Sequence, residues 1–113
     1  MTTVNKVTIN VPVADAEEAT RVLSQLVECE VVIEDGSRYA LLTLGGVRIA
    51  FVSGQEDIAG GDVALALEVA DAAAVTSSAE AAGIPTHRAE HASSRTFHVA
   101  RMPGAAALVY YQK

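Results

Sequence analysis

Val7-Thr8-Ile9-Asn10-Val11-Pro12-Val13-Ala14-Asp15-Ala16 and Val63-Ala64-Leu65-Ala66-Leu67-Glu68-Val69-Ala70-Asp71-Ala72 carry one pattern twice, 56 residues apart. In each copy an apolar residue stands at every second position, and each copy ends in Val-Ala-Asp-Ala. Alternation at period two marks a half-buried strand, because successive side chains point to opposite faces. Asp15 and Asp71 then stand where a helix needs a side-chain oxygen for its unsatisfied first N–H groups. An internal repeat of this length has to be read before any local structure.

The residues after each Asp predict a helix. AEEATRVLSQLV follows Asp15, with Glu18 completing a capping-box spacing and Ala19, Val22, Leu23, Leu26 and Val27 forming one apolar stripe. AAAVTSSAEAA follows Asp71 and is closed by Gly83, a suitable residue past a helix end. Its thin stripe of Val75, Ala79 and Ala82 requires close packing on a sheet. Three short strands follow in each half: Glu28–Glu34, Arg38–Leu44 and Val47–Val52, then Thr86–Glu90, Arg95–Arg101 and Ala105–Tyr111. Asp35-Gly36 and Gly45-Gly46 are two-residue hairpin signals, and Pro103-Gly104 and the Ser-rich Ala92–Ser94 mark further turns. The expected fold is α+β: one domain over 1–113, with tandem βαβββ modules forming a curved mixed sheet. The first module covers about 4–53, a Gly-rich connector 54–61, and the second about 62–112.

Composition bounds the partners. The chain has 113 residues, half of them apolar, enough for one core and too few for two. Eight Lys and Arg against fourteen Asp and Glu leave a net charge of −6, and the basic residues form no run, which argues against nucleic acid. A surplus of negative charge attracts cationic ligands at long range and keeps a chain dispersed. No apolar stretch has the roughly 20 residues a membrane helix needs, and MTTVNK has no signal-peptide pattern. Cys29 is the lone cysteine, so no internal disulfide or CxxC site forms, and a cytoplasmic location is expected.

The repeat, the strand-Asp-helix openings and the Met102-Pro103-Gly104 turn resemble the vicinal oxygen chelate superfamily of glyoxalases, extradiol dioxygenases and bleomycin resistance proteins. The resemblance spans essentially the whole chain. It implies a homodimer, and it implies four metal-ligand positions: one on the first strand of each module and one on the fourth. Carried over, these fall on Thr8, Ala64, Ala50 and Leu108, or Val109 after a one-residue slip. Imidazoles and carboxylates hold such ions. Ala, Leu and Val cannot, and Thr8 alone does not suffice. His87 and His91, four apart on a strand and loop, do not converge as they would on a helix. No metal or other cofactor is therefore expected.

Strand parity predicts the cup lining. If Val7, Ile9 and Val11 pack beneath a helix, then Lys6, Thr8 and Asn10 face the open side, as do Ala64, Ala66 and Glu68. Val47, Ile49 and Phe51 go to the core, leaving Arg48, Ala50 and Val52 inside. With Phe97 and Val99 assigned to the core, Thr96, His98 and Ala100 face the cup, and Tyr110 joins them. The candidate ligand-binding residues are Asn10, Arg48, Glu68, His98 and Tyr110, with Glu68 and His98 the candidate acid/base groups. A carboxylate on an apolar strand is costly to bury unless it is partnered. Glu68 is therefore a general base or ligand clamp, or it pairs with Arg48 or sits at a wet rim. No GxSxG or phosphate-loop motif occurs, and Cys29 between Glu28 and Glu30 reads as a packing residue. The expected function is a metal-free small-molecule-binding protein for a cationic ligand such as a drug, or else a metal-independent isomerase or lyase.

Overall fold

The computed structural model describes residues 2–90, 95–102, 104 and 107–113. The first half contains β1 (Val4–Pro12), α1 (Ala16–Leu26), β2 (Glu30–Asp35), β3 (Tyr39–Leu44) and β4 (Val47–Val52). A 3-10 turn at Gly54–Glu56 follows, and then β5 (Ala64–Val69), α2 (Ala72–Ala81), β6 (Thr86–Glu90), β7 (Thr96–Arg101) and β8 (Ala107–Gln112). His91, the Ala92–Ser94 loop and Pro103 lie outside the described residues.

Local chemistry sets these boundaries. Asp15 accepts from the Glu18 N–H and Asp71 from the Ala74 N–H, both at 3.1 Å, which caps each helix. The Glu18 side chain pairs with Arg21 one turn on. Gly45 and Gly46 both adopt positive φ, 57° and 78°, the conformation a tight two-residue hairpin demands. The Asp35-Gly36 hairpin differs from expectation: its loop is Gly36–Arg38, and the Arg38 N–H bonds back to the Asp35 carbonyl.

All eight strands form one sheet in the order β2-β3-β4-β1-β5-β8-β7-β6. Each half has its first strand innermost, parallel to its own fourth strand, and β1 and β5 meet antiparallel along the middle. The Ile9↔Leu65 pair sits at that seam, and Ile9 and Leu65 are also equivalent in the repeat, so the pair marks a pseudo-twofold axis.

Both faces of the sheet are apolar. α1 covers Ala40, Leu42 and Phe51, with Val11 and Ile49 at the margin, and α2 covers Val69, Ala100 and Tyr110. The opposite, concave face carries Leu41, Ala50 and Val52 in one half and Ala64, Ala66, Val99 and Val109 in the other. Two expected core positions differ. Val7 is 48% exposed because α1 rests on β3 and β4 and leaves the seam uncovered, and Val47, 46% exposed, is the first residue of β4 beside the Gly45-Gly46 turn. Leu65 across the seam is also exposed.

Candidate functional site

The sheet curves around a cavity of about 220 Å³. Its floor is the seam, where Lys6, Thr8 and Asn10 of β1 and Ala66 of β5 face inward. One wall is Tyr39, Leu41, Arg48 and Val52 of β3 and β4, and the other is Phe97, Val109 and Tyr111 with Arg95 above. Glu56 and Ile58 of the connector close one side.

Of the expected site residues, the structure brings Asn10, Arg48 and Glu68 to the concave face. Arg48 is partly buried and donates from Nε to Thr8 Oγ1 at 3.3 Å. Arg48 lines the cavity, and among the described residues no other side chain accepts from it. Glu68 shares the inward parity of Ala64 and Ala66, is 8% exposed, and lies between Lys6 and Tyr111 in the strand register. It forms no ion pair with Arg48 and no side-chain hydrogen bond among the described residues.

His98 and Tyr110 are not in the cup. They stack on each other on the helix side, with ring centroids 4.9 Å apart and planes 12° from parallel. Tyr110 is fully buried and shares a 2.6 Å hydrogen bond with Thr76 Oγ1 of α2. Burial, followed by the charge of Arg88, lowers the His98 pKa below its usual 6.5. The parity of β7 and β8 is thus the reverse of the expectation, and Phe97, Val99, Val109 and Tyr111 face the cavity instead. The reason is physical: the cup wall is as apolar as the helix-covered face, so alternation alone does not label the two sides.

The residues missed on sequence grounds are Tyr39, Arg95, Phe97 and Tyr111. The Arg95 guanidinium lies 5.2 Å from the Tyr111 ring centroid, and Phe97 meets the same ring edge-on at 5.2 Å. The registers held the missing signal. Ile9 pairs with Ile49 and Leu65 with Leu108, so β8 repeats β4 with Tyr111 equivalent to Val52 and Val109 to Ala50. The same step through β3 and β7 makes Phe97 equivalent to Tyr39.

Electrostatics ties these groups together. Burial raises the Tyr111 pKa above 10, the charge of Glu68 raises it further, and Arg95 and Arg48 oppose. Burial also raises Tyr39, against Arg48 and with Tyr111 and Glu56. Both phenols are therefore protonated at neutral pH and can donate hydrogen bonds.

The metal-ligand positions implied by the resemblance resolve to Thr8, Ala64, Ala50 and Val109, since Leu108 packs beneath α2. One hydroxyl and three hydrocarbon side chains do not fit a divalent cation. Among the described residues no group of three His, Cys, Asp or Glu comes together elsewhere. No helix among them is long and apolar enough to cross a membrane.

No protein-family model and no curated protein sequence matches the chain. Solved structures do. A glyoxalase/bleomycin resistance protein/dioxygenase superfamily member from Vibrio splendidus 12B01 superposes with a TM-score of 0.68 at 17% identity, over 96% of this chain and 98% of that one. Methylmalonyl-CoA epimerase from Mycobacterium tuberculosis gives 0.68 at 15% identity, over 96% and 88%. A Legionella pneumophila protein described as an NAD-dependent benzaldehyde dehydrogenase gives 0.74 at 14% identity, over 95% and 98%. Such different descriptions on one scaffold show that likeness at this level carries the fold, while function rests on the site. With its paired βαβββ halves, single eight-stranded sheet and concave cavity, the chain has the fold of the glyoxalase/bleomycin resistance protein/dioxygenase superfamily.

Proposed function

We propose that this chain is a metal-free small-molecule-binding protein that captures its ligand in the cup at the seam between its halves, as in sequestration of a drug. The observation that carries this reading is one arrangement. The cavity keeps a few placed polar groups (Asn10, Arg48, Tyr111) among apolar walls, while the fold's metal positions hold Thr8, Ala50, Ala64 and Val109. The lone thiol, Cys29, suits a reducing compartment, which we take to be the cytoplasm. A homodimer is supported by edge strand β2, whose Val31, Val32 and Ile33 are all exposed, because an uncovered apolar edge invites pairing.

A second reading, a metal-independent isomerase or lyase, is favoured by Glu68 alone. This carboxylate is nearly buried on the cup face without a described hydrogen-bond partner, the setting of a general base. His98 faces α2 and takes no part in it. A thermal-shift screen tests the main proposal, with Zn²⁺, Ni²⁺ and Mn²⁺ on one side and a small-molecule panel on the other. Stabilisation by an organic ligand and by none of the metals is the expected result. A stoichiometric metal shift overturns it. Deuterium wash-in from D2O at a carbon next to a carbonyl of the bound ligand, lost in Glu68→Gln, would favour the enzyme.

A further inference from the structure

The cavity has a local charge opposite to that of the chain. The molecule carries −6 overall, yet three of its eight basic residues, Lys6, Arg48 and Arg95, line this one cavity. Two carboxylates accompany them. Glu68 stands directly across the strand pair from Lys6 and offsets it, and Glu56 lies on the connector near Tyr39. One positive charge is left over, and Arg48 and Arg95 both act electrostatically on the same phenol, Tyr111.

The two arginines differ in use. Arg95 spreads over the Tyr111 ring, which fixes its plane. Arg48 commits Nε to Thr8 Oγ1, and no other described residue accepts from it. A guanidinium has five N–H donors in a rigid fork, so the Nη edge can grip a carboxylate through two parallel hydrogen bonds. The phenols of Tyr39 and Tyr111 stay protonated, so each can donate a hydrogen bond to an anion. A cation would meet repulsion from Lys6, Arg48 and Arg95, against the one lining carboxylate, Glu56. Behind the donors, Phe97, Val109, Ala66 and Ile58 form an apolar wall. A volume of 220 Å³ equals about seven waters at ~30 Å³ each, which suits one ring with a short side group.

Resting on the binding role proposed above, we infer that the cup takes a small organic carboxylate with a flat apolar body, its carboxylate on the Nη edge of Arg48 and its body against Phe97 and Tyr111. The expectation of a cationic ligand came from net charge, and the cavity lining reverses it.

Three probes of one shape test this: phenylacetate, phenylacetamide and phenethylamine, titrated into the intact protein by ligand-observed NMR. Phenylacetate is expected to bind at least tenfold more tightly than the other two. Arg48→Gln should remove that advantage, while Arg38→Gln, at the exposed Gly36–Arg38 turn, should keep it. Equal or tighter binding of the amide or the amine overturns the anionic assignment and leaves the cup a ligand site. Unchanged phenylacetate affinity in a folded Arg48→Gln protein also overturns it. If none of the three binds at millimolar concentration, the binding role falls with it. Should Arg48→Gln fail to fold, the probe series on the unaltered protein still decides the question.

Discussion

Replacing Tyr110 by Phe removes one oxygen from a fully buried ring, and its consequence distinguishes the two ways the last strand could face. In the structure that oxygen lies 2.6 Å from Thr76 Oγ1, beneath α2. Thr76 also reaches the Ala72 carbonyl at 3.2 Å, so it keeps a partner when the phenol is lost. The cost is then one net hydrogen bond, about 1 kcal/mol, without the larger penalty of a stranded polar group. For a chain of this length that corresponds to about 4 °C in Tm. Tyr110→Ala, which removes the ring as well, should cost about 3–5 kcal/mol. Tyr111→Phe alters only a cup-facing hydroxyl with no described hydrogen bond and should stay within about 0.5 kcal/mol. Thermal and urea denaturation followed by circular dichroism measure all three. If Tyr111→Phe proves the costly change and Tyr110→Phe the silent one, β8 is turned over, and Tyr111 and Val109 do not line the cup.

The helix caps give a second test. Asp15→Ala and Asp71→Ala should each cost about 1 kcal/mol, read as a shift in urea midpoint, whereas Asn at either site should restore most of it. A third concerns pH. His98 has a folded pKa below 6.5, so its neutral form is favoured in the fold; that stability is complete above pH 6.5 and is lost as the pH falls through the lower folded value. His98→Gln should therefore flatten the decline in unfolding free energy as the pH falls below 6.5, and an unaltered slope would refute the burial of this ring. Finally, Glu68→Gln should lower the ionisation pH of Tyr111, seen in near-ultraviolet phenolate absorbance on a Tyr39→Phe background, and no shift would mean the carboxylate is not beside that phenol.

The architecture was legible because its signals are local and doubled. Each alternating strand runs into an Asp that caps its helix, and Gly45-Gly46 reaches without strain the two positive φ values that a tight hairpin needs. The concave faces of β1, β4 and β5 followed from alternation with equal directness. The other wall did not. On β7 the sequence Phe97-His98-Val99 places a polar ring between two apolar side chains, and polarity suggested that His98 lined the cup. Both sides of this strand are covered, however, one by α2 and the other by the cavity wall, so His98 and Tyr110 stack in the helix-side core while Phe97 and Tyr111 enclose the cavity. Tyr39 and Arg95 stand outside the candidate set because aromatic and basic residues at strand margins ordinarily face water. Their importance emerges only when the curvature of the sheet brings β3 toward β7 and β8.

A vessel assembled from two identical pieces looks the same after half a turn, so any guest it accepts has two indistinguishable orientations. Here the pieces share one polypeptide and have been free to diverge. The axis through Ile9 and Leu65 relates the position of Arg48 to that of Ala107, Val52 to Tyr111, and Thr8 to Ala64. Arg48, held by Thr8, has no cationic mate across the axis, and the Tyr111 ring under Arg95 has only Val52 as its mate. Joining the two halves in tandem has thus made the receptacle handed, with one right way round for whatever enters it.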